Sequence, residues 1–213
     1  MKIKKLLPFT LAFVIAGCVP SLHSLFTEKD IFFEPGLVGR WSSSENSKEI
    51  WQFTKKGETK TYEVTYTDNN GDRGSFTGTL GKINETIFLD LFPNNSETEI
   101  RSNDFYKAHL IPAHTFLKIE QITPILKMQA MDPDKFGKMI RDDPNIIKHE
   151  VLADDNRVVI TASTQEIQQF MKKYANEKEL FGEPTELKRL IPAEPNSPDT
   201  NNISRDSNNL PVK

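Results

Sequence analysis

The chain has almost no cysteine: Cys18 is the only one among 213 residues. A disulfide bond within the chain is therefore impossible, and metal sites that need several thiolates are excluded too. The fold must be stabilised by its hydrophobic core.

Basic residues are also too scattered to form a patch. The chain has 27 basic and 30 acidic side chains, a net charge of −3, and no basic cluster with interleaved aromatic residues. Nucleic-acid binding is therefore not expected. The sequence has no phosphate-binding loop, no dinucleotide fingerprint and no Gly-x-Ser-x-Gly elbow. It therefore assigns no catalytic residue and no cofactor.

Long hydrophobic runs are missing as well. Residues 6–16 form an apolar stretch of 11 residues, which would rise about 16 Å as a helix, roughly half of a hydrocarbon core. Three lysines precede this stretch, and the small residues Ala16 and Gly17 follow before Cys18. This order is typical of an export signal rather than of a membrane-spanning helix.

Residues 15–18, Ile-Ala-Gly-Cys, resemble the lipobox of bacterial lipoproteins. The resemblance implies that residues 1–17 are a cleaved signal peptide and that Cys18 carries diacylglycerol and an N-acyl chain such as palmitate. Two or more acyl chains hold a protein stably on a membrane. Val19, where an aspartate would favour retention at the inner membrane, implies an outer-membrane lipoprotein facing the periplasm. The alternative is an ordinary secretory signal with a chance cysteine.

Cleavage would remove three lysines, leaving 24 basic and 30 acidic side chains and a net charge of −6. The remaining chain divides by composition. We expect a lipidated tether over residues 18–35, a β-rich globular domain over residues 36–182, and a disordered polar tail over residues 183–213. The apolar residues of the tether would either pack on the domain or lie near the membrane. The tail is rich in proline and polar residues and has too few apolar groups to offset the entropy of ordering it.

The domain shows mostly strand patterns. Tyr62, Val64 and Tyr66 alternate with polar residues, as in a half-buried antiparallel strand, and Asn70-Gly71 is typical of a hairpin turn. About ten short strands are expected, at residues 37–42, 49–54, 60–67, 75–80, 86–92, 105–111, 115–120, 125–131, 148–152 and 157–161.

Two helices are expected in the second half of the domain. Asp132 and Pro133 suit the start of a short helix over residues 134–141. Ser163 and Glu166 form a capping box before a later amphipathic helix, which we expect to pack on the sheet. The predicted fold class is mainly β, or β-rich α+β, with an antiparallel curved sheet or small barrel.

The tripeptide Gly39-Arg40-Trp41 in the first strand resembles the Gly-x-Trp motif of lipocalins and lipocalin-like β-barrels. The resemblance implies that Trp41 plugs the closed end of a barrel and that Gly39 lets a neighbouring group pass close to it. The chain departs from that family in its ten predicted strands, rather than eight, and in its mid-chain helix. Elsewhere it resembles uncharacterised envelope lipoproteins of similar layout.

Aromatic residues are concentrated in the first five strands, which indicates either a filled core or a cavity for an apolar ligand. The favoured function is a non-enzymatic domain that binds an apolar small molecule or lipid. The alternatives are an envelope protein-interaction or structural module with a filled core, and an enzyme whose site is assembled by the fold. The candidate ligand-binding residues are Trp41, Trp51, Tyr62, Tyr66 and Phe76.

Metal binding has one candidate. His109 and His114 flank Pro112, and with a carboxylate such as Asp104 they would suit zinc or iron. Their spacing is not that of a known ligand pair, so no metal site is assigned. Residues 68–72 resemble a calcium loop but lack its later acidic ligand, and a hairpin turn is the better interpretation.

Overall fold

The computed structural model describes residues 18–94, 110–152, 157–177 and 180–190. Within them lie ten β-strands, two α-helices and one 3₁₀ helix. Eight strands close into an antiparallel barrel, and the other two form a separate hairpin. The predicted mainly β class with two helices is confirmed.

The strands follow one another around the barrel in the order β1-β10-β7-β6-β5-β4-β3-β2. Their bounds are β1 Gly39–Ser42, β2 Ile50–Lys55, β3 Thr61–Thr67, β4 Arg73–Ile83, β5 Thr86–Pro93, β6 Thr115–Gln121, β7 Ile125–Ala130 and β10 Thr185–Arg189. The remaining elements are the hairpin strands β8 His149–Val151 and β9 Val158–Ile160, the helices α1 Pro133–Asp142 and α2 Thr164–Tyr174, and the 3₁₀ helix Pro35–Leu37.

Local sequence explains several element ends. The Asp68 side chain accepts hydrogen bonds from the backbone N–H groups of Asn70 and Asp72, and Gly71 has φ of +93° in the predicted turn between β3 and β4. Both halves of the predicted capping box of α2, between Ser163 and Glu166, are present. These short-range signals therefore specify the structure they predicted.

The C-terminal boundary of the domain differs from the prediction. Residues 185–189, assigned to the polar tail, form β10, which pairs with both β1 and β7 and closes the barrel. Only Leu187 of this strand is buried, so its apolar pattern is too short to be recognised in the sequence. The domain extends at least to Leu190, and the rest of the predicted tail lies outside the described residues.

The predicted tether is part of the folded domain. Val19, Ser21 and Leu25 are buried, and Ser21 forms backbone hydrogen bonds with His114 of about 2.9 Å. Residues 18–26 pack against the outer wall of the barrel because their apolar side chains fill the space between this wall and α2. The segment is therefore a fixed element and not a free spacer.

The predicted strand over residues 105–111 falls mostly on residues outside those described. Its last two residues, Leu110 and Ile111, are described, are exposed and belong to no strand.

Two hydrophobic cores share the wall of the barrel. On β5, Leu89 and Leu91 belong to the core inside the barrel, whereas Phe88 points outward into a second core. This alternation follows the two-residue period of a strand. The outer core contains buried residues of α1, α2 and the N-terminal segment, among them Phe136, Phe170 and Leu25. The late helix therefore packs on the sheet, as predicted.

One end of the barrel is closed by the 3₁₀ helix and Arg189. Trp41 is fully buried there, its indole N–H donates to the carbonyl of Leu37 at 2.9 Å, and the Arg189 guanidinium lies 4.2 Å from its ring. Arg189 also donates to the carbonyls of Gly36 and Val38. Gly39 has φ of +143°, and a Cβ at this position would collide with Arg189. The group that passes close to Gly39 is thus the guanidinium of Arg189.

Candidate functional site

Three of the five candidate ligand-binding residues form part of the barrel core. Trp41 and Tyr62 are fully buried and Trp51 is 4% exposed. Phe53 lies between Trp51 and Tyr62, with ring centroids 6.2 and 6.3 Å away. The interior aromatic rings therefore contact one another, and each occupies volume that a ligand would need.

The hydroxyl of Tyr62 is also used inside the protein. It accepts a hydrogen bond from the Glu34 N–H at 2.7 Å and donates to the Glu34 carbonyl at 3.1 Å. Together with the Trp41 bond to Leu37, this links the barrel wall to the residues that close its end. These polar atoms act in the fold and are not free to orient a ligand.

Tyr66 and Phe76 lie at the other end of the barrel and are half-buried. The Tyr66 ring contacts Trp51 with centroids 4.6 Å apart, and its hydroxyl donates to Glu49 Oε1 at 2.7 Å. Burial, followed by the hydrogen bond to the Glu49 carboxylate, raises the pKa of Tyr66 well above its usual value. Tyr66 therefore stays a neutral hydrogen-bond donor at physiological pH.

A cleft of about 380 Å³ lies on the outer wall of the barrel. Its floor is made by two pairs of neighbours on β4 and β5, Thr77 with Phe92 and Thr79 with Asp90. The other lining residues are Ser24, Phe26 and His114. The cleft thus mixes two aromatic side chains with polar groups.

A buried carboxylate, Asp90, pairs with the partly exposed imidazole of His114 at this cleft. Asp90 is 3% exposed, its Oδ1 lies 2.7 Å from His114 Nδ1, and its Oδ2 accepts the Leu25 N–H at 2.8 Å. An ionised Asp90 makes Nδ1–H the donor, which leaves Nε2 as the remaining polar atom of the His114 ring. The ring also contacts Phe92, with centroids 4.5 Å apart.

Neither of the two described serines nearest this pair donates its hydroxyl to His114. The Ser21 hydroxyl donates to the His23 carbonyl at 2.7 Å, and the Ser24 hydroxyl donates to the Phe26 carbonyl at 3.0 Å. A serine nucleophile needs its hydroxyl bonded to the base. Asp90 and His114 instead fasten the N-terminal segment to the barrel, through Leu25 N–H and the backbone of Ser21.

The structure describes only one of the three residues proposed from the sequence as metal ligands, His114. His109 and Asp104 lie outside the described residues, and His114 is engaged with Asp90. Within the described part of the chain, no group of three or more His, Cys, Asp or Glu side chains is placed to hold a metal ion.

Two further grooves lie away from the barrel interior. One, of about 570 Å³, runs between the loop after α1 and the surface of α2, with Lys148, Glu166 and Tyr174 in its lining. The other, of about 230 Å³, includes Gln129, whose Oε1 is buried and has no hydrogen-bond partner among the described residues. Both are open surface grooves.

Cys18 lies at the start of the described chain and is partly exposed. Burial raises the pKa of its thiol, which lowers the thiolate fraction and makes it a poor nucleophile in the folded protein. Any modification of the sulfur would therefore proceed more easily before residues 18–26 pack onto the domain.

Asp90 is the functional candidate that sequence reasoning missed. It interrupts the apolar run of β5, and a lone carboxylate in such a run is unusual because an unpaired buried charge is costly. That interruption was the available signal. Its partner could not be identified, since His114 lies 24 residues further along the chain.

The sequence matches no known family model, and no characterised protein or solved structure is significantly similar to it. Among the described residues, no helix has the length and hydrophobicity needed to cross a membrane.

Proposed function

We propose that this protein is a lipid-anchored module of a bacterial cell envelope in which the barrel acts as a filled scaffold. The lipobox at residues 15–18 supports the anchor. The packing of the barrel interior supports the second part, because Trp41, Phe53 and Tyr62 are fully buried and the Phe53 and Tyr62 rings pack edge to face. The alternative that the sequence left open, a structural or protein-interaction module, is therefore favoured over an apolar-ligand carrier.

A closed antiparallel barrel of eight strands is compatible with the lipocalin-like resemblance. The ten predicted strands correspond to seven of the barrel strands, the two hairpin strands and residues 105–111, which lie mostly outside the described residues. Gly39 and Trp41 of the motif lie in β1, beside Arg189. Fold likeness does not fix function, and a barrel of eight strands is just wide enough for side chains to fill it.

The anchor is tested by replacing Cys18 with serine in the full chain, expressed in a bacterial host. The wild-type chain is expected in the outer-membrane fraction, with a mass that includes its acyl groups. The C18S chain is expected in the soluble periplasmic fraction. Membrane association of a C18S chain whose mass shows the loss of residues 1–17 would refute lipidation as the anchor.

The scaffold is tested by native mass spectrometry of the C18S protein purified from the periplasm. We expect the mass of the polypeptide alone. An apolar species that copurifies, and that denaturation releases, would instead support the carrier function.

A second candidate function is small-molecule binding in the outer cleft. Its volume of about 380 Å³ falls within the range of ligand sites, which combine apolar walls with a few polar groups. The chain has four histidines, so histidine-labelled protein gives a simple NMR screen with fatty acids and apolar alcohols. A cleft ligand would shift the His114 signal and leave His149 unchanged, whereas an unmoved His114 would remove this function.

A further inference from the structure

The segment that follows Cys18 leaves no spacer between a lipid on that residue and the folded domain. Val19 is 3% exposed and belongs to the outer core. The segment is then held by Asp90, and by α2 through the Thr164 hydroxyl and the Gln168 amide. Acyl chains on Cys18 would therefore hold the domain directly against the headgroups, with one fixed side toward the bilayer.

The β8–β9 hairpin pairs with the segment that follows Cys18. Ser21 pairs in parallel with Ile160 of β9, through Leu22 N–H to Ile160 O and Ile160 N–H to Pro20 O, both 2.9 Å. Counting back three residues along both parallel segments brings Cys18 level with Arg157. The intermediate pair agrees with this register, because Val19 and Val158 both pack in the outer core.

The end of β8 reaches the same level. Val151 pairs with Val158, and the Leu152 N–H donates to the Arg157 carbonyl at 2.9 Å. Val151 and Leu152 are 50% and 42% exposed. Two large apolar side chains thus stand in solvent at the height of Cys18.

The exposed large hydrophobic side chains of the described residues are Leu22, Leu110, Ile111, Val151 and Leu152. Leu22, Leu110 and Ile111 lie beyond the antiparallel Ser21–His114 pair, on the side away from Cys18. Val151 and Leu152 are therefore the exposed apolar pair on the Cys18 side. Exposed apolar side chains grouped in this way mark a surface that meets a partner.

We propose that the end of β8, at Val151 and Leu152, docks in the headgroup region of the bilayer beside the Cys18 lipid. The occupant is a lipid surface, because the anchor emerges at the same level with no spacer that would let the hairpin face elsewhere. The inference rests on the proposed lipidation of Cys18. It adds a fixed orientation, with the outer core toward the membrane and the opposite barrel wall toward the periplasm.

The experiment uses the lipidated full-length product with Leu152→Cys. Acylation consumes the Cys18 sulfur, so residue 152 then carries the only free thiol and can take an environment-sensitive fluorophore. The protein is reconstituted in vesicles of phosphatidylethanolamine with a minor share of phosphatidylglycerol, with and without brominated acyl chains. The matched control is Gln52→Cys, on an exposed position of β2, which lies opposite β6 in the ring of strands.

We expect the label at residue 152 to shift to shorter wavelength and to be quenched by brominated lipid, and the label at residue 52 to do neither. A protein that floats with the vesicles while both labels stay unquenched would keep the anchor and overturn the docking. A protein that lacks acyl mass and does not float would remove the lipidation and the docking together.

Discussion

The two cores on either side of the barrel wall are built in different ways. The inner core consists almost entirely of side chains from consecutive antiparallel strands. The outer core collects the N-terminal segment, two helices and a hairpin, whose contacts join residues more than a hundred positions apart, such as Leu25 and Gln168. Hairpin-type contacts are local in sequence and cost little loop entropy, whereas the outer contacts require distant segments to meet.

This difference assigns the two cores different roles. The inner core defines the barrel, and the polar groups of its aromatic side chains form hydrogen bonds within the protein. The outer core holds the cleft, the Asp90–His114 pair and the segment that follows Cys18. The candidate sites are therefore in the layer around the barrel, and the barrel positions them.

Removal of β10 should have the largest effect on the inner core. A chain ending at Glu183 loses the strand that joins β1 to β7, together with Leu187 and the Arg189 cover over Trp41. We expect no cooperative thermal transition, because an opened barrel exposes its core and two strand edges. A chain ending at Ile191 is the control and should melt like the full chain. Cooperative melting of the shorter chain would show that β10 is dispensable.

Trp41→Ala should be the most damaging single substitution in the same core. Truncating a fully buried tryptophan costs about 3–5 kcal/mol, and here it also removes the hydrogen bond to the Leu37 carbonyl and the ring on which the Arg189 guanidinium stacks. Urea unfolding followed by Trp51, the other tryptophan of the chain, measures the loss. Trp41→Phe keeps part of the ring volume and should therefore lose less of the free energy of unfolding. Equal midpoints for wild type and Trp41→Ala would contradict the plug role.

The contrast between the cores also explains what could be predicted from the sequence. Nine of the ten strands in the described chain overlap predicted ones because hairpins and two-residue alternation are local signals. β10 was missed because it has one buried residue, Leu187. The N-terminal segment was predicted as a tether because its partners, Asp90 and Gln168, are distant in sequence. The five aromatic candidates were recognised as apolar, but sequence alone did not decide whether they line a cavity or fill a core.

Two glycines of β4 allow the cores to be disturbed separately. A Cβ on Gly78 would lie 2.7 Å from a Val64 methyl group inside the barrel, and a Cβ on Gly81 would lie about 2.5 Å from the Phe26 ring outside it. We expect Gly78→Ala to cost about 1–3 kcal/mol of global stability, since the packed interior cannot yield. Gly81→Ala should cost less and should mainly loosen the N-terminal segment.

Hydrogen exchange separates these outcomes. In the Gly81→Ala chain, amides of residues 21–32 should exchange faster while those of β2 and β3 keep their protection. In the Gly78→Ala chain, protection should fall throughout the barrel. If both substitutions loosened the same amides, the two cores would form one cooperative unit.

The smallest expected effect concerns an ion pair that ties the hairpin to α2. The Glu166 carboxylate accepts hydrogen bonds from Lys148 Nζ at 2.7 Å and from the N–H and hydroxyl of Ser163. The bond from Lys148, followed by those from Ser163, lowers the pKa of Glu166 from 4.5 to about 2. Because the folded protein favours the ionised carboxylate, its contribution to stability is complete above pH 4.5 and is lost as pH falls toward 2. Lys148→Met should raise the pKa of Glu166 in an NMR titration while leaving it below 4.5, because the Ser163 bonds remain. A pKa still at about 2 would mean that the capping box alone holds the carboxylate and that Lys148 contributes nothing to its ionisation.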